Sequence, residues 1–162
     1  MKNLWKIVLL FLAAIDVASS DQSAEMVKEV ANNISSEFAQ CAAYFAISSE
    51  ALKRSGENPT ADKYRKTSNT ALEYALIAAQ EGRTAAMAQK VTLARFEADM
   101  KVMLKEIDSD VSNIAILQNT YGLRCKNSME RPEGMMKEWQ DKVLQKYLKP
   151  STPSNKRDNQ KH

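Results

Sequence analysis

Histidine is almost absent: the chain has one, His162, at the end of a polar C-terminal stretch. Without an imidazole in the body of the protein, Ser-His-Asp triads, His-Glu-x-x-His zinc sites and Glu-x-x-His di-iron bundles all lack an essential group. Glycine and proline are scarce as well, four of each in 162 residues. With so few breakpoints and no alternating Val/Ile/Thr runs, the pattern points away from sheets. Three further motifs are missing: the Gly-rich phosphate loop, Cys-x-x-Cys for thiol exchange and Cys-x-x-Cys-His for covalent haem. Two carboxylates could still serve a glycan hydrolase, but no spacing singles out a pair. The reading is a non-enzyme without a cofactor, reached by elimination.

Long apolar runs are lacking too, with one exception. Ile7 to Ile15 is unbroken and follows Lys2 and Lys6. About nine residues suit a signal-peptide core and are too few to cross a bilayer. Small Ala18 and Ser20 fit the positions a signal peptidase reads, so residues 1–20 are expected to be a leader cut before Asp21, with a cut before Ser20 as second choice. Asp16 is unusual so near the cut, which leaves an uncleaved anchor as the alternative. No cysteine there could accept a lipid. The expected mature chain is periplasmic or secreted, with no stable membrane span after cleavage.

Charge of one sign is not in excess. The whole chain carries +3; two lysines and one aspartate leave with the leader, so the mature chain carries +2. Basic residues alternate with acidic ones along the chain, as on solvated helix faces, so no nucleic-acid partner is implied.

Two cysteines remain, Cys41 and Cys125. In an oxidising compartment an even count with one possible pairing implies a disulfide between them. A catalytic thiol would need a base, and His162 is remote in sequence. The alternative is two separate buried thiols.

What the sequence has in abundance is helical periodicity. In a first segment, about Ser23 to Arg54, the residues Val27, Val30, Ile34, Phe38, Cys41, Phe45, Ser48 and Leu52 recur at three- and four-residue steps and form one inward stripe. Ser55-Gly56-Glu57-Asn58-Pro59 should close that helix and open the next, with Asn58 as N-cap and Pro59 at the first helical position. The second segment, about Pro59 to Glu81, has a face of small residues from Ala61 through Ser68, Ala71, Ala75 and Ala78 to Gly82. That face could pack within a bundle or form a dimer seam. A break is expected at Gly82 to Thr84, the alternative being one helix running through Gly82.

A third helix is expected from Thr84 to Tyr121 on the heptad Leu93, Phe96, Met100, Met103, Ile107, Asp110, Ile114, Leu117 and Tyr121, ended by Gly122. Cys125 would then lie in a loop. A shorter fourth helix should begin near Arg131-Pro132-Glu133, turn Met136, Trp139, Val143 and Tyr147 inward, and stop at Pro150. Residues 149–162 read as a disordered polar tail. The fold class is therefore all-α: an antiparallel, up-down bundle of three long helices plus a shorter C-terminal one over residues 21–148, with one disulfide.

Four features qualify as candidate sites. Met100 and Met103, with Met129, Met135 and Met136, could hold Cu(I) or Ag(I) through thioethers, or could simply fill the core. Asp110, with Asp108 and Asn113 beside it, is an acid on an inward stripe that Arg124 or Arg131 could neutralise, or else a binding group. Tyr44, Tyr64, Tyr74 and Trp139 could anchor an interface, Tyr44 being turned away from Phe45 toward solvent. The small-residue face of the second helix is the fourth. Elimination of the enzyme classes, with interspersed charge on apolar helices, leaves an exported binding or accessory protein of the bacterial envelope with a protein partner, or a homodimer; a small-ligand or Cu(I) carrier is the alternative.

Overall fold

The computed structural model describes residues 20–148. Residues 1–19, which include nearly all of the expected leader, and the expected tail, 149–162, lie outside the described residues. Among those described every regular element is helical and no strand occurs.

The spine is α1, Ser20–Arg54, against which the other long helices pack. Six of the eight residues of its stripe, Val30, Ile34, Phe38, Cys41, Phe45 and Ser48, are buried, while Val27 and Leu52, toward its two ends, are half-buried. Helix α2, Asn58–Ala79, runs antiparallel to α1 and lays its small face on it, with Ala61, Ser68, Ala71 and Ala75 buried. The approach is close enough for two serine hydroxyls to reach across to the opposite backbone. Ser49 Oγ donates to the Ala61 carbonyl at 2.7 Å, and Ser68 Oγ to the Ala42 carbonyl at 2.8 Å. Close approach of this kind needs small side chains at the contact, so this face is occupied within the chain.

Gly56 ends α1 as its sequence suggests. At φ +85° it lets its own N–H close on the Lys53 carbonyl and that of Glu57 on the Leu52 carbonyl, at 3.1 and 2.9 Å. The cap of α2 differs from expectation. Glu57 occupies the cap position without a side-chain bond, and Asn58 is already helical. Its neighbour's amide is committed to closing α1, so the two helix ends share residues and the cap moves back by one. The next break falls at Gly82 as read, with φ +67°, and Thr84 caps α3, Ala85–Glu106, by accepting from the Met87 amide at 3.3 Å.

The third helix does not run on to Tyr121. It stops at Glu106 with the same pair of closing bonds used at Gly56: Asp108 N–H to the Lys105 carbonyl at 3.1 Å and Ser109 N–H to the Leu104 carbonyl at 2.7 Å. Asp108 and Ser109 take φ of +53° and +59°, a region that aspartate enters more readily than most residues. A 3₁₀ turn follows at Val111–Asn113, then α4, Ala115–Leu117, a π-helical turn, Gln118–Gly122, and α5, Leu123–Glu130. Gly122 is therefore no stop; its φ and ψ are −57° and −51°, and the helix continues through it. Cys125 lies on α5, not in a loop. Arg131, forced from helical geometry by the proline after it, has φ −139° and separates α5 from α6, Pro132–Leu148.

The core lies in two clusters along α1. One gathers Cys41, Tyr44, Phe45, Ile47, Met103, Ile107, Val111, Leu117 and Cys125; the other gathers Met26, Val30, Ile34, Phe38, Ala75, Met135 and Val143. Leu93, expected inward, is 45% exposed, because Thr92 takes the buried place on that turn.

Candidate functional site

The disulfide is present: Cys41 and Cys125 are bonded with their Cα atoms 5.2 Å apart, and both are buried. It crosses from the middle of α1 to α5. One turn earlier on α1 stands Glu37, a carboxylate that is 6% exposed. Burial of a charge this deep is costly unless every lone pair is used, and here the donors are in place. Arg124 Nη2 donates to Oε2 at 2.6 Å, Trp139 Nε1 to the same oxygen at 2.7 Å, and Ser128 Oγ to Oε1 at 2.8 Å. Arg124 and Ser128 flank Cys125 on α5, while Trp139 comes from α6. The acid and the disulfide thus form a two-point joint, one ionic and one covalent, that fixes both C-terminal helices on the spine.

Charge continues outward along α6. Arg124 Nη1 lies 3.7 Å from Glu138 Oε1, Glu138 pairs with Lys142, and Lys142 Nζ stands 4.6 Å above the Trp139 ring. The hydrogen bond to Glu37 raises the Arg124 pKa, and the bond from Lys142 lowers that of Glu138. At the far end of the helix Lys146 grips Glu29 at 2.7 and 2.8 Å, and Tyr147 donates to the same acid at 3.2 Å. Chemically, Glu37 has both oxygens committed to donors. It anchors rather than acts.

The residues singled out from sequence fall as follows. Asp110 is exposed and is the cap of the 3₁₀ turn: its Oδ1 accepts from the Ser112 amide at 2.9 Å, the bond that leads in lowering its pKa. The expected pairing of Asp110 with Arg124 or Arg131 does not occur. Arg124 binds Glu37, the cation nearest Asp110 in effect is Arg54, and Arg131 is exposed between α5 and α6. The helix break at Asp108 rotates Asp110 off the stripe that its spacing implied. Asn113 donates to the Ile107 carbonyl at 3.3 Å and so braces the same turn.

Tyr44 is not solvent-facing but 4% exposed, tilted against Phe45 with ring centroids 5.1 Å apart. Burial pushes its pKa up, with the Ser48 hydroxyl pulling the other way. The π turn explains the seat: a Cβ on Gly122 would come within 3.1 Å of Tyr44 Oη, so a glycine there admits the hydroxyl. Tyr121, beside it, donates to Glu106 at 2.8 Å, and burial together with that acid pushes its pKa up to about 12. Tyr64 and Tyr74 pack edge-on to Phe45 and Phe38. Met100 and Met103 belong to the disulfide's cluster, Met135 and Met136 to the other, and Met129 touches both.

Sequence reasoning missed Glu37 and Ser128. Glu37 was detectable in principle: it stands three residues after Ile34 and four before Cys41, both on the inward stripe, which is the position of a buried acid. Among the described residues no helix is long and apolar enough to cross a membrane. Comparison with family models, curated proteins and solved structures finds no match, so a functional reading rests on the geometry described above.

Proposed function

We propose that this chain is an exported, non-enzymatic binding or accessory protein of the bacterial envelope, an up-down bundle that works through protein contacts made by its C-terminal leg. The supporting observation is where the staple lies relative to exposed apolar surface. Leu123 is 72% exposed two residues before Cys125, and Ile116, one turn-pair earlier, is 46% exposed. A large aliphatic side chain left in water on a helix fixed by a disulfide is an anchor held ready for a hydrophobic contact at little entropic cost. The disulfide itself is compatible with export, since such bonds persist in oxidising compartments.

Site-specific photocrosslinking in intact cells tests the reading. A photoreactive residue at position 123 should give a discrete adduct with one envelope protein, and a probe at exposed Glu97 should not. Leu123→Asp should abolish co-purification of that protein while leaving the fold intact. Adducts equally strong from both positions, or none from 123, would refute the proposal.

A further inference from the structure

Two arginines converge on one neutral side chain where α2 turns into α3. Arg83, in the turn, donates through Nη2 to Asn32 Oδ1 at 3.0 Å and through Nη1 to the Ala79 carbonyl at 3.2 Å. Arg95, on α3, donates through Nη2 to the same Asn32 oxygen and through Nη1 to the Ser35 hydroxyl at 3.0 Å and the Asn32 carbonyl at 3.3 Å. Two guanidiniums sharing a single acceptor would ordinarily centre on a carboxylate; here the acceptor is an uncharged amide. Neither makes an ion pair among the described residues.

The repulsion is felt. Burial first and the charge of Arg83 second depress the Arg95 pKa, with Asp99, one turn further along α3, offsetting part of this. Asp99 is itself pushed up by burial. The Lys28 side chain adds a third cation nearby, since its methylenes lie against Gly82, although its ammonium is paired with Glu25 at 3.1 Å. Thr92, one turn before Arg95, is buried with its hydroxyl unpartnered.

Arg83 and Arg95 are both half-buried residues, and each guanidinium is fixed by bonds to the backbone and to Asn32. Each has five N–H donors; Arg83 makes two hydrogen bonds and Arg95 three, so donors remain on both. We propose that Arg83 and Arg95, held by Asn32, form a binding site for a phosphate-class oxyanion, free or as a phosphate ester. The planar forks suit tetrahedral oxyanions, and an anion taken by the donors left free supplies the negative charge that the amide does not.

Titration of the folded protein with sodium phosphate, against sodium chloride at matched ionic strength, is to be followed through the arginine Nε–Hε signals by NMR. Saturable shifts confined to Arg83 and Arg95 are expected. Arg83→Gln should weaken the affinity by about tenfold or more, as loss of a charge-assisted bond implies. Asn32→Asp is the decisive variant. It places a carboxylate at the shared oxygen, so it should raise the melting temperature in phosphate-free buffer and cancel the phosphate response. Non-saturating shifts, or a response unchanged in both variants, would overturn the site. Once phosphate binds, sedimentation with phosphatidylglycerol vesicles that is lost in Arg83→Gln assigns the ligand to a lipid headgroup; no sedimentation assigns it to soluble phosphate.

Discussion

Glu37 is the residue whose environment most constrains the molecule. Its carboxylate is desolvated, and three donors from two other helices compensate for the lost water. Removing it strands the Trp139 and Ser128 donors and leaves Arg124 with Glu138 as its remaining acid. Glu37→Ala is therefore expected to lower the free energy of unfolding by about 3 to 5 kcal/mol, read by urea denaturation with Trp139 fluorescence as a probe of the joint. Glu37→Gln keeps an acceptor oxygen but loses the charge, so it should recover part of that loss. Equal stability in all three proteins would mean that the buried acid is not an anchor.

At the scale of elements, α3 and the leg after it show why a legible pattern can still mislead. Met103, Ile107, Ile114, Leu117 and Tyr121 do pack against the core, as their spacing implied, yet Met103, Leu117 and Tyr121 belong to three different pieces of helix, and Ile107 and Ile114 lie in the turns between pieces. The heptad phase survived because each piece turns its apolar side to the same cluster. The break between them was invisible because the residues in left-handed geometry are Asp108 and Ser109, whereas the identical closing bonds at Gly56 were announced by a glycine. Gly122 misled in the opposite direction, a glycine used for close approach read as a helix end. Its role can be measured. Gly122→Ala is expected to destabilise the protein by about 1 kcal/mol while Tyr44 keeps its hydroxyl. In a Tyr44→Phe background the same change should stabilise by about as much, because alanine is the better helix former once the 3.1 Å contact is gone. A double-mutant cycle reads the coupling; a coupling of zero would show that the hydroxyl does not need the glycine.

For the whole molecule, the all-helical class, the α1 stripe, the turn at Gly82 and the pairing of Cys41 with Cys125 were all legible. Each is set by local periodicity, by a glycine, or by counting two cysteines. What escaped was long-range: Glu37 meets Arg124, Ser128 and Trp139 across 87, 91 and 102 positions of sequence, and no local spacing encodes such a meeting. The disulfide spans 84 residues, for which the chain-entropy model gives about 4.5 kcal/mol of stabilisation. Cys41→Ala with Cys125→Ala is expected to cost roughly 3 to 5 kcal/mol, measured by the shift in urea midpoint at constant slope. A shift under about 1 kcal/mol would place the holding force in the Glu37 joint instead.

The span of that bond also decides what a severed backbone would do. Both glycine corners, at Gly56 and Gly82, lie inside the stretch that the two sulfurs bracket, and both are exposed. A protease that nicked either corner would leave two fragments still tethered to each other, so the cut protein would gain only the water of hydrolysis and would run as one species under denaturing conditions until a reductant was added.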